Sequence, residues 1–236
     1  MNLILLHAKD QWSDPSNVRL SDDRFLHLRN VLHADVGQLV RVGVVGGRIG
    51  EGLVTSVDQN GICLRIQLSL LPPPRHRLDL IIALPRPKML RRIFRTVAEF
   101  GVSNLHLINS ARVEKSYWQT PLLSSNKVQD ALCAGLSRSS DTILPQIHFH
   151  RRFRPFVEDE LADLCGGRPC WLADHGAPMA LTMIASVPSV VMVGPEGGFV
   201  PFEISLAESV IAQRAHLGQR ILSVDTAVTT VLAQTL

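Results

Sequence analysis

Four short apolar runs, Leu78–Leu84, Leu105–Ile108, Pro169–Ala173 and Val190–Val193, alternate with segments of helical periodicity at Lys88–Phe100, Asn126–Leu136, Phe202–Arg214 and Thr226–Leu236. A strand that is apolar at successive positions is covered on both faces, which is the condition of a strand inside a parallel sheet. Helices between such strands supply the cover and the crossovers. The alternation therefore predicts an α/β fold with a mostly parallel sheet over residues 78–236. Gly101 fits the position just past a helix end, and Pro201 the first turn of a helix, where a missing N–H costs least.

Upstream the pattern differs. Asn2–Leu6, Leu39–Val45, Ile49–Val57 and Ile62–Leu68 are β-like runs separated by turn residues, and Asn60-Gly61 marks a hairpin. One amphipathic helix is expected near Asp22–Leu32. This reads as a small β-barrel or sandwich domain over residues 1–71. Pro72-Pro73-Pro74 then removes donors and stiffens the chain, so residues 72–77 are expected to form a linker.

A chain of 236 residues that is 46% hydrophobic can bury one or two cores. Cys63, Cys133, Cys165 and Cys170 lack zinc-ligand spacing, which points to reduced, mostly buried thiols and to no metal. The N-terminus has no signal-peptide pattern, and no window reaches the roughly 20 apolar residues needed to span a bilayer. The expected location is the cytoplasm, with no membrane partner. Net charge is only +3, but Arg86, Lys88, Arg91, Arg92 and Arg95 crowd one stretch without an acid.

Two glycine-centred motifs close the chain. Val193-Gly194-Pro195-Glu196-Gly197-Gly198-Phe199 follows a strand and precedes a helix, and Leu217-Gly218-Gln219-Arg220-Ile221-Leu222-Ser223-Val224-Asp225-Thr226-Ala227 follows it. The first is neither a dinucleotide fingerprint nor a Walker loop. Taken alone, it suits a tight turn as well as a ligand loop.

Together, in this order and position, the motifs resemble those of the RsmE family of ribosomal RNA methyltransferases in the SPOUT superfamily. Ala98-Glu99-Phe100-Gly101-Val102 and Ser110-Ala111-Arg112 resemble further elements of that family. The resemblance implies a SPOUT-type C-terminal domain with a deep trefoil knot, beside a small N-terminal PUA-like β-barrel that helps dock RNA. It also implies a homodimer that uses S-adenosylmethionine to methylate N3 of a uridine in 16S ribosomal RNA, with the assembled small subunit as the expected substrate. The cofactor contacts it implies fall on Leu172, Ala173, His175, Val193, Gly194, Pro195, Gly197, Gly198, Leu217, Gly218, Ile221, Leu222, Ser223, Thr226 and Ala227. Within that set, backbone groups of Leu217 and Leu222 would bond the adenine, with Ile221 and Ala227 against its faces. Ser223 stands where the family has arginine, and Asp225 where it has glutamate. His33 and the segment Gly135–Asp141 depart from it as well.

Uracil N3 carries a proton, and its loss spreads negative charge onto the flanking carbonyls. Arg112 is the first candidate to meet that charge and Arg86 the second; a surface ion pair between Arg112 and Glu114 is an equal alternative. Glu196 either takes the proton or holds its own loop, and holding the loop is the more common task. Asp225 suits a cap for the last helix. Lys88, Arg91, Arg92 and Arg95 recur at helical spacing and are expected to contact RNA phosphate. Phe149 and Phe153, in a run rich in histidine and arginine, are read as inward-facing residues of an edge strand. Trp12, Trp118 and Trp171 are read as packing residues. Ser223 and Asp225 favour a second reading, a non-catalytic RNA-binding or ribosome-assembly protein. A nucleotide-dependent oxidoreductase is the weaker third.

Overall fold

A computed structural model describes residues 3–183 and 187–235. The chain divides into two units, Met1–Pro74 with Cys133–Leu144, and Arg75–Leu132 with Pro145–Leu236. Asn2 and Leu236, the outer ends of two expected elements, lie outside the described residues.

The first unit carries β1 (Ile4–Leu6), β2 (Gln11–Asp14), β3 (Asn17–Leu20), α1 (Asp23–Asn30), β4 (Leu39–Val44), β5 (Ile49–Val57) and β6 (Ile62–Leu70). They form one sheet in the order β1-β4-β5-β6-β3-β2, in which only the β1–β4 pairing is parallel. Phe25 and Leu28 of α1 lie in its core with Val42, Val54, Ile62 and Leu64. Asp22 caps α1 by accepting the Arg24 N–H at 3.0 Å. The β5–β6 hairpin closes where Asn60-Gly61 predicts: the Asp58 N–H donates to the Gly61 carbonyl, and the Asn60 N–H to Asp58 Oδ1. Strands β2 and β3 were not expected. Their residues are short and largely polar, and β3 is a strand because it pairs with β6. The downstream segment also bonds to this unit, with the Leu3 N–H on the Ser137 carbonyl and the Gly46 N–H on that of Thr142.

The second unit carries β7 (Leu78–Ala83), α2 (Pro87–Glu99), β8 (Asn104–Ile108), the start of α3 (Ser125–Ser139), β9 (Gln146–His150), α4 (Phe153–Pro155), α5 (Leu161–Cys165), β10 (Cys170–Ala173), β11 (Ser189–Val193), α6 (Pro201–Val210), β12 (Ala212–Ala215) and α7 (Val224–Gln234). Its sheet runs β12-β10-β11-β7-β8-β9, and every pairing is parallel. Every residue of β7 and β11 is buried, as a strand covered on both faces requires. Each such Leu, Ile or Val contributes about 1.5–3 kcal/mol by leaving water. Gly101 takes φ +70° just past α2, the left-handed turn that favours glycine at a helix end.

Three expectations are corrected. The helix expected over Phe202–Arg214 stops at Val210, and Ala212–Ala215 becomes β12 alongside β10. Sheet pairing there buries Ala212 and Ala215 and overrides a helical pattern. The last helix starts at Val224, so Asp225 lies in its first turn and Ser223 is the cap residue. On β9 it is His148 and His150 that meet His106, with His106 stacked on His148 at 4.4 Å. Phe149 is therefore exposed on the other face, and Phe153 is buried from α4. Trp118 and Trp171 are buried packing residues, and Trp12 is partly buried against the first core.

Candidate active site

Parallel register aligns the carboxyl ends of the central strands, with Ala173 opposite Val193, Val193 opposite Ile82, and Ala83 opposite Ile108. The loops that follow β7, β8, β10 and β11 therefore emerge along one edge of the sheet, the edge where open α/β sheets bind ligands.

A cleft open to solvent lies there, lined by Ala173 and His175 after β10, by Val193, Gly194, Pro195, Glu196 and Gly198 after β11, and by Leu217, Gly218, Ile221, Leu222 and Ala227 from the second motif. Asp174, Arg220 and Val224 also line it, and the sequence reading did not single them out. Four residues expected at a cofactor do not line the cleft. Leu172 is buried within β10, Gly197 lies against Arg112, and Ser223 and Thr226 share a hydroxyl–hydroxyl hydrogen bond of 2.9 Å.

The two sides of the cleft are built differently. On the first, the Arg86 N–H donates to Glu196 Oε1 at 3.1 Å, and the Arg86 side chain stands 3.9 Å from the same oxygen. Glu196 thus ties the loop after β11 to the start of α2. The Arg112 guanidinium donates to the Gly197 carbonyl. Glu114 accepts the Tyr117 hydroxyl at 3.1 Å, and the bond that holds the arginine is the one to Gly197 rather than the alternative pair with Glu114. Buried Glu203 accepts the Ala111 N–H at 2.7 Å and the Val200 N–H at 3.0 Å. Sequence reading missed Glu203; its place three residues past Val200, at the start of a helix, was the available signal.

On the other side, Leu217–Leu222 is neither helix nor strand. Its backbone is held where His216 Nδ1 meets the Gly218 N–H and where His175 Nε2 meets the Gln219 carbonyl, each at 3.1 Å. Gly218 has φ +129°, and Ile221 is 85% exposed, an extreme value for an isoleucine beside a cleft. Asp225 receives Arg92 at 2.7 Å and the Ser223 hydroxyl at 2.7 Å. Burial acts to raise its pKa, but the bonds from Ser223 and Arg92 outweigh burial and hold the carboxyl below the usual aspartate value. Ser223 and Asp225, two of the departures from the family pattern, thus bond to each other. On α2, Lys88, Arg91 and Arg92 are exposed while Arg95 is half-buried, so the cationic stripe is narrower than its spacing suggests.

Residues 72–236 match the family model described as an RNA methyltransferase domain. The ribosomal RNA small subunit methyltransferase E of a Synechocystis strain is 32% identical over 231 residues, 93% of this chain and 72% of that protein. A protein of the same name from Treponema pallidum is 28% identical over 157 residues, and the match spans 66% of this chain but only 59% of that one. Among solved structures, the Neisseria gonorrhoeae ribosomal RNA small subunit methyltransferase E bound to S-adenosyl methionine superposes with a TM-score of 0.75 at 19% identity, covering 98% of this chain and 96% of that one. A putative methyltransferase from Legionella pneumophila in complex with the same cofactor gives 0.74 at 18%, covering 98% and 95%. At those identities the likeness establishes the fold, a mixed α/β architecture with a parallel sheet, while the family follows from the domain match and the Synechocystis relative: the chain belongs to the ribosomal RNA small subunit methyltransferase E family.

Proposed function

We propose that this protein transfers a methyl group from S-adenosylmethionine to N3 of a uridine in 16S ribosomal RNA. The observation that carries the reading is the meeting of two features at one edge of the sheet. A cleft walled by small residues and open backbone adjoins an arginine fixed on the neighbouring loop.

The cleft's chemistry fits an adenosyl cofactor. Adenine offers two apolar faces and an edge of donors and acceptors. Ile221 and Ala227 supply apolar contact, and peptide groups of Leu217 and Leu222 supply the edge. Gly198 and Gly218 keep room beside the cleft, since a Cβ at either would meet no atom within 4 Å. Ala173, His175, Val193, Gly194 and Pro195 complete the wall. When bound, the sulfonium group supplies an already activated methyl, which needs no metal.

The protein's part is to align the acceptor and stabilise its charge. A uridine must leave its pairing for N3 to be reached. As its proton departs to water, the Arg112 guanidinium sits on the loop beside the cleft as a ready partner for the charged carbonyl oxygens. Arg86 is a second cation at the same edge. Glu196, bonded to the Arg86 N–H, acts as the loop's brace rather than as the base. Lys88, Arg91 and Arg92 meet phosphates, with Arg95 contributing from a half-buried position. The Ser223–Asp225–Arg92 bonds give these two departures from the family pattern a structural role.

The same reading makes residues 1–71 a PUA-like RNA-docking barrel, joined by residues 72–77 to a knotted SPOUT domain over 78–236. It takes the working form to be a homodimer in the cytoplasm and the substrate to be the assembled small subunit. Incubation with methyl-labelled S-adenosylmethionine and unmodified small subunits tests it. Label is expected in 16S RNA, and more of it from subunits than from naked RNA. Unlabelled RNA alongside tight S-adenosylhomocysteine binding would leave the cofactor assignment standing and overturn the activity.

A further inference from the structure

We infer that Glu203 is a positioning residue for the methyl transfer, holding Arg112 at the loop that follows β11. The inference rests on the role assigned to Arg112 above. Glu203 is 3% exposed, and among the described residues no cation pairs with it. Burying a carboxylate in this way is costly unless its oxygens are fully used. Here both are. Oε2 accepts the Val200 N–H at 3.0 Å, ordinary work for an acid in the first turn of a helix. Oε1 accepts the Ala111 N–H at 2.7 Å, a bond across 92 residues of sequence that no helix cap requires.

Ala111 directly precedes Arg112, whose guanidinium bonds the Gly197 carbonyl. Gly197 lies three residues before Val200. The contacts therefore form a closed ring: Glu203 to Ala111, along the chain to Arg112, across to Gly197, along to Val200, and back to Glu203. Space in the ring is tight, for a Cβ on Gly197 would sit 2.9 Å from Arg112 Cδ. Among the described residues the neighbouring buried Ser110 hydroxyl has no hydrogen-bond partner, so it lends this turn no side-chain restraint. A carboxylate that fixes one peptide of the Arg112 turn and one of the Gly197 loop sets the two in register, and small misplacements of a catalytic group are expensive in rate.

The substitution Glu203→Gln keeps the shape but replaces one acceptor with an NH2 group that cannot accept an N–H. The first readout is the 15N spectrum of the arginine side chains, with Arg112 assigned from Arg112→Lys. In the wild type the bonded guanidinium is expected to rotate slowly and give resolved signals. In E203Q it should join the freely rotating arginines, and in Glu203→Asp, which keeps both acceptors, part of the slow signal should return. An unchanged Arg112 signal in E203Q overturns the inference, whatever the protein's activity. The second readout is kinetic. E203Q is expected to lower kcat about 10- to 100-fold, with KM for S-adenosylmethionine within about twofold of the wild type. The double variant R112A/E203Q should lose no more than R112A alone, because the glutamate acts through the arginine. Losses that multiply would contradict it. A wild-type protein that transfers no methyl group would sink the methyltransferase reading instead, and the spectrum would still decide the place of Glu203.

Discussion

The two glycine-centred loops flanking the cleft lie at the same edge of one sheet, yet they are restrained in opposite ways. Gly194–Val200 is pinned at three points: the loop's own Glu196 accepts the Arg86 N–H, Arg112 donates to the Gly197 carbonyl, and Glu203 accepts the Val200 N–H. Among the described residues, Leu217–Leu222 is held by hydrogen bonds to His175 and His216, and it leaves Ile221 85% exposed. A loop that must place charge accurately repays stiffness, because preorganised groups need not reorganise during reaction. A loop that must wrap a ligand gains from open backbone and an uncovered apolar side chain. On the function proposed above, the contrast gives the charge-stabilising role to the arginine pinned on the first loop and an adaptable cofactor contact to the second, with Gly194 and Pro195 of the first loop also walling the cleft.

The sharpest way to break this contrast is Arg112→Ala. It should lower kcat by about 10²- to 10³-fold, the usual loss for a group that stabilises transition-state charge, and leave S-adenosylhomocysteine affinity unchanged by calorimetry. A loss of affinity instead would move Arg112 to the binding side. Next in size is Gly197→Ala, whose new methyl must displace Arg112. A fall of about tenfold in kcat is expected in single-turnover assays. Ile221→Ala should act on the other loop. Affinity for S-adenosylhomocysteine is expected to drop about fivefold to tenfold, with stability within about 0.5 kcal/mol of wild type, because the side chain is already in water. Equal kcat losses from R112A and I221A at saturating cofactor would erase the division of labour.

The smallest effect concerns the acid at the end of the second motif. Asp225 has its pKa held down in the folded protein, so it contributes stability that is present above the ordinary aspartate value of 3.8. That contribution is lost as pH falls through the lower, folded value. Thermal melts of the wild type and Asp225→Asn should therefore differ at neutral pH and converge below about pH 3.8. A constant difference down to strong acid would mean that charge on Asp225 does not matter.

Much of this architecture was legible because it is written in local pattern. Leu78–Leu84 and Val190–Val193 read as doubly covered strands from composition alone, and Asn60-Gly61 located a turn to the residue. Much of the cleft lining falls on the two motifs that stand out in the sequence, while Asp174 beside them was not singled out. What stayed hidden depends on partners far along the chain. Ala212–Ala215 continues a helical pattern and becomes a strand only because β10 offers an open edge. Cys133–Leu144 is grouped with the first unit, although nothing local marks it. Glu203 looks like a surface helix residue until Ala111 arrives from 92 positions upstream. Phe149 leaves its expected inward face because His148 and His150 turn instead toward His106 on the neighbouring strand. His106 pays for that contact, with burial and the charges of His148 and His150 pushing its pKa down to about 3.

The account stands most directly on the identity of the product. Nucleoside mass spectrometry of 16S RNA from unmodified small subunits, after reaction with this protein and labelled S-adenosylmethionine, reads it in one step. Labelled 3-methyluridine, formed about 10²- to 10³-fold more slowly by R112A and restored by higher cofactor concentration in I221A, is the predicted result. Label on a ribose or on any other base atom would contradict the proposed role of Arg112 in meeting charge on the uracil carbonyls.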